Sequence, residues 1–68
     1  MLENCGEHVR VCQLNAARCR ETANTARTAE FRNDYLDLEA RWLALARSYE
    51  VTERVSRFLQ EAERRNTP

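Results

Sequence analysis

A chain of 68 residues makes one domain at most, near the size at which a single core struggles to offset chain entropy, so its stability must draw on disulfides, a metal or association. Hydrophobic residues are 43% of it while Gly and Pro occur once each, which leaves little to break long helices and makes all-α the expected class. The 11 basic residues cancel the 11 acids, within each half of the chain as well as overall, so there is no net field to gather nucleic acid or an anionic membrane surface.

The first element is read from periodicity. Leu2, Cys5, Val9, Cys12, Ala16, Cys19, Ala23 and Ala26 follow one another at alternating spacings of three and four, a heptad stripe on one helix. Asn4 with Glu7 three residues on has the form of a capping box, which places the start near residue 4, with Gly6 a weak point in the first turn. The run from Asn24 to Thr28 is rich in Asn and Thr, whose side chains compete for backbone hydrogen bonds; it reads as the turn. Thr28 is the expected cap of the next helix, with Glu30 well placed against the dipole.

The second stripe runs Phe31, Tyr35, Leu38, Trp42, Leu45, Tyr49, then through Thr52 to Val55, Leu59 and Ala62, widened by Leu36, Leu43 and Phe58. The expected organisation is therefore a single helical-hairpin domain over residues 1–68, with helix 1 about 4–24, the turn 24–28 and helix 2 about 29–64. Acid-first pairs at i, i+4, namely Asp37/Arg41, Glu50/Arg54, Glu53/Arg57 and Glu61/Arg65, suit a solvated helix face. Folded antiparallel about the turn, the stripes pair Cys19 with Tyr35, Ala16 with Leu38, Cys12 with Trp42, Val9 with Leu45 and Cys5 with Tyr49. Small residues then face large ones, which fills a narrow seam.

That hairpin has a deficit. Helix 1 runs out near Thr52, leaving Val55, Phe58, Leu59 and Ala62 with nothing in the chain to cover them, and an exposed stripe of this kind marks an association site. Two hairpins packed into a four-helix bundle would bury both surfaces. The expected interface residues are Trp42 and Tyr49, anchoring the seam, with Val55, Phe58 and Leu59 covering the overhang.

Sites of chemistry are weak by comparison. Cys5, Cys12 and Cys19 recur at seven-residue intervals, about 10.5 Å apart along a helix, too far for neighbours to form a disulfide or share one metal ion, so they read as small core residues. A thiol or Zn protein using Cys5, His8 and Cys12 is a further alternative, because i, i+3 and i+7 lie on one side of a helix; structural Zn sites, however, usually take ligand pairs from a turn. Asp34 with Asp37, and Glu50 with Glu53, are carboxylate pairs on a charged face without a concave pocket, so no enzyme is expected and no cofactor. The Arg47, Arg54, Arg57, Arg64 and Arg65 group is interleaved with Glu50, Glu53, Glu61 and Glu63, which argues against nucleic acid. No apolar run approaches the roughly 18 residues of a spanning helix. Polar Glu3, Asn4, Glu7 and His8 interrupt any N-terminal signal pattern, and an odd cysteine count fits reducing surroundings, so a cytoplasmic protein is expected.

Cys19-Arg20, Ala23, a short polar turn, Glu30-Phe31-Arg32, Leu38-Glu39 and the run from Arg41 through Trp42-Leu43-Ala44-Leu45-Ala46-Arg47-Ser48-Tyr49-Glu50 together resemble a group of short, Arg-rich, uncharacterised bacterial proteins, mostly of alphaproteobacterial type. The resemblance spans roughly residues 12–59 and implies a two-helix hairpin with no assigned activity. Thr28-Ala29 stands where those proteins often have Asp-Pro, and Cys5 and Cys12 are additional to their common cysteine. The expected function is a non-enzymatic protein–protein interaction module, self-associating as a dimer or tetramer and acting as a small scaffold or regulator; the alternative is an adaptor hairpin docking on a larger protein.

Overall fold

A computed structural model describes residues 5–66, and the expected roles of Leu2 and Asn4 lie outside them. Two helices, α1 (Cys5–Asn24) and α2 (Ala29–Asn66), pack side by side as an all-α antiparallel hairpin with a short first and a long second helix. The second helix runs past the expected end near residue 64.

The turn is held by hydroxyls. At the end of α1 the Thr25 N–H donates to the Thr22 carbonyl at 3.2 Å and the Ala26 N–H to the Ala23 carbonyl at 3.1 Å, tightening the last turn. The Thr22 hydroxyl donates back to the Arg18 carbonyl at 2.9 Å, and that of Thr25 to the Thr22 carbonyl at 3.1 Å. Thr28 then starts α2: its hydroxyl accepts from the Phe31 N–H at 3.1 Å, and its carbonyl takes the first helical bond, from the Arg32 N–H, at 3.0 Å. Glu30 in the first turn and Arg64 and Arg65 in the last complement the dipole of α2.

The seam between the helices differs from expectation in which face of α2 it uses. Cys5, Cys12, Ala16 and Ala23 of α1 are buried as expected, and Tyr35, Trp42 and Tyr49 of α2 are half-buried against them. Leu38 and Leu45, however, are 40% and 42% exposed, whereas Ala46 is 3% exposed and Glu39 is largely covered. The α2 seam is thus Tyr35, Glu39, Trp42, Ala46, Tyr49 and Glu53, with the two leucines rolled outward. Close approach is the reason. A helix whose contact face is Cys and Ala packs most tightly where its neighbour also offers a small side chain, and Ala46 supplies one where Leu45 would hold the backbones apart.

The register shifts accordingly by about one turn. His8 lies on Tyr49, Gly6 sits opposite Glu53, and Arg20 reaches Glu39, in place of the expected pairing of Cys5 with Tyr49 and Ala16 with Leu38. Of the acid-first pairs, Asp37–Arg41 and Glu53–Arg57 close at 3.1 and 3.0 Å.

The result is a rod of 63 × 15 × 14 Å. Its radius of gyration is 17.1 Å, where a compact chain of this length has about 11 Å.

Candidate association surface

Only small side chains are enclosed. The buried residues are Cys5, Cys12, Ala16, Ala23 and Ala46, and no larger apolar side chain among the described residues is fully covered. Two helices present only one line of contact to each other, so a side chain longer than Cys on that line extends past it into solvent. The accessible surface is 5823 Å², where a compact protein of 8.0 kDa exposes about 4,450 Å², an excess of about 1,400 Å².

Helix arithmetic divides the surface beside the seam into two unlike edges. Along one edge, Gly6 and Arg20 of α1 meet Glu53 and Glu39 of α2. Arg20 Nε donates to Glu39 Oε2 at 3.1 Å, and Arg57 closes on Glu53, so this edge is bounded by charge pairs. Along the other, His8 stacks on Tyr49 with ring centroids 4.8 Å apart and planes 18° from parallel. Outside that stack run Phe31, Leu38, Leu45 and Leu59, all exposed and spaced by seven or fourteen residues. Phe31 is in tilted ring contact with Tyr35, centroids 4.9 Å apart.

Of the interface residues expected from sequence, Val55, Phe58 and Leu59 sit on the part of α2 beyond Glu53, past the described start of α1; Phe58 is 66% exposed, the most open of the described large hydrophobics. Trp42 and Tyr49 are half-buried in the seam. Leu38 and Leu45, expected in the seam, lie instead on an exposed seven-residue row with Phe31 and Leu59. Its signal was present: Leu38 and Leu45 lie one step to one side of Tyr35, Trp42 and Tyr49, while Glu39 and Ala46 lie one step to the other. Val11 and Leu14 of α1 and Val51 of α2 are further exposed apolar positions that the stripes did not include. On the back of α2, away from α1, Ala40, Ala44 and Ser48 line a shallow groove between Leu43 and Val51.

The residues that invited chemistry are dispersed. Cys5 and Cys12 are buried in the seam, Cys19 is half-buried, and all three are free thiols. His8 is turned onto Tyr49, and among the described residues no group of three or more His, Cys, Asp or Glu could hold a metal ion. No described helix is long and apolar enough to cross a membrane.

No protein-family model matches the chain, and no curated protein and no solved structure matches it. The surface must therefore be read from its own geometry, which is that of a helical hairpin with an extended apolar flank.

Proposed function

We propose that this chain is a non-enzymatic protein–protein interaction module, a hairpin that associates with copies of itself into a helical bundle and serves as a small scaffold or regulator. One observation carries the reading: among the described residues the interior holds only Cys and Ala, while Phe31, Leu38, Leu45, Val55, Phe58 and Leu59 are exposed. A stable interface removes about 800 Å² from each partner. The excess surface of the rod, about 1,400 Å² by comparison with a compact protein of its mass, supplies that with room to spare.

Three free thiols, two of them buried packing residues, support a reducing, cytosolic setting. The likeness to short Arg-rich bacterial hairpins is part of the same proposal and brings no activity with it. An adaptor role, with α2 docking on a larger protein, finds its support in the separate groove behind α2 lined by Ala40, Ala44 and Ser48.

Light scattering on the purified chain, with and without reductant, tests the reading. The expected result is a dimer or tetramer whose mass is indifferent to reductant. Phe58→Asp combined with Leu59→Asp should shift it toward monomer while circular dichroism still reports helix. A stable helical monomer from the unsubstituted chain would contradict self-association, and a poorly folded monomer would favour the adaptor.

A further inference from the structure

Resting on that reading, we infer that two copies pair antiparallel along the row Phe31, Leu38, Leu45, Thr52 and Leu59 of α2, about a two-fold axis at Leu45. The row has seven-residue spacing, the period of a helix–helix seam, and carries a large apolar side chain at every position except Thr52. The hairpin covers it only in part: Thr52 is half-buried and Leu38 and Leu45 are 40% and 42% exposed, while α1 packs on the other side of Trp42 and Tyr49, through Glu39, Ala46 and Glu53. An outward row of this kind beside an already occupied seam is a second, partly open contact line on the same helix.

Equal reach selects the arrangement. Phe31 and Leu59 each lie fourteen residues from Leu45, about 21 Å at 1.5 Å per residue, so an antiparallel two-fold sets Leu59 of each copy on Phe31 of the other in the same operation that sets Leu45 on Leu45. Leu38 then meets Thr52 twice. The part of α2 that α1 leaves bare lands beside the turn of the second copy, where Phe31 with Thr22, Thr25, Ala26 and Thr28 lines a concavity. The length mismatch within one hairpin is thereby made up by the other.

Competing arrangements leave more uncovered. Pairing the two overhangs alone would bury Val55, Phe58 and Leu59 but leave Phe31, Leu38 and Leu45 in water. Parallel pairing would cover the same row but put both overhangs at one end and both turns at the other, so that neither overhang reaches the concavity beside Phe31 of the other copy. Along the outer edge of the row the antiparallel register brings Asp34 near Val55 and Arg41 near Ser48, so no like charges are opposed. The rod exposes about 1,400 Å² more total surface than a compact protein of its mass, against the roughly 800 Å² per partner that a stable interface removes.

Cysteine scanning of the full chain under mild oxidation, read on non-reducing gels against the unsubstituted chain, tests the arrangement. Leu45→Cys places two thiols at the axis, within the Cα separation of about 4.4–6.8 Å that a disulfide spans, and should convert most of the protein to covalent dimer. Leu59→Cys alone should stay at the level of the unsubstituted chain, while a mixture of Phe31→Cys and Leu59→Cys chains should form the mixed disulfide. Efficient cross-linking of Leu59→Cys by itself would overturn the antiparallel register in favour of parallel or overhang pairing. Failure of Leu45→Cys to cross-link, with sedimentation still reporting a dimer, would overturn the register and leave self-association standing. A monomeric mass for the unsubstituted chain and every variant would overturn both.

Discussion

The two edges of the Trp42 and Tyr49 row have opposite fates. On one side stand Glu39, Ala46 and Glu53, covered by α1 and tied by Arg20 and by the fit of Gly6; on the other stand Leu38, Leu45 and Leu59, more apolar yet left exposed. Hydrophobicity alone would have chosen the leucines. The difference teaches that when one helix presents Cys and Ala, distance of approach decides the face, because dispersion falls away within a fraction of an ångström and a small residue opposite permits more of it. The leucines that the hairpin leaves outward are the surface that the proposed association would cover.

Breaking the choice at its tightest point should have the largest effect. Ala46→Phe forces a large ring into a position that is 3% exposed and should destabilise the chain by about 1–3 kcal/mol in chemical denaturation, the range for overpacking. The same change at Ala44, on the back of α2, should fall within about 0.5 kcal/mol. Equal costs at the two positions would mean that Ala46 does not set the approach.

A change that acts on the start of α2, and so on both edges alike, should cost less. Thr28→Ala removes the hydroxyl that accepts from the Phe31 N–H at 3.1 Å and should lower stability by about 1 kcal/mol in a thermal melt followed by circular dichroism. Thr28→Asp restores an acceptor there and should recover most of the loss, whereas an unchanged melt for Thr28→Ala would show that the turn does not depend on this cap.

The smallest effect is a gain on the charge-paired edge. A methyl at Gly6 would meet Glu53 Oε2 at 3.7 Å, ordinary contact, so Gly6→Ala should fit the seam and add up to about 0.5–1 kcal/mol from backbone entropy, less where the first turn frays. A loss instead of a gain would place α1 closer to α2 at that end than the contact with Glu53 allows.

Much of this molecule is legible one residue at a time. Sparse Gly and Pro, heptad spacing and the Thr28 cap determine two helices, where they turn, and that the second outruns the first, because capping and periodicity act over a few neighbouring residues. The cysteines at seven-residue spacing likewise announce a packing face, and two of them are buried. What only the tertiary structure decided is which of two adjacent rows on α2 turns inward, and with it the register and the position of the outer apolar row. Leu38 and Glu39, or Leu45 and Ala46, differ by one step around the helix, and both rows satisfy the same heptad. The choice depends on how closely two backbones approach across the seam, a property of the pair of helices and of neither alone.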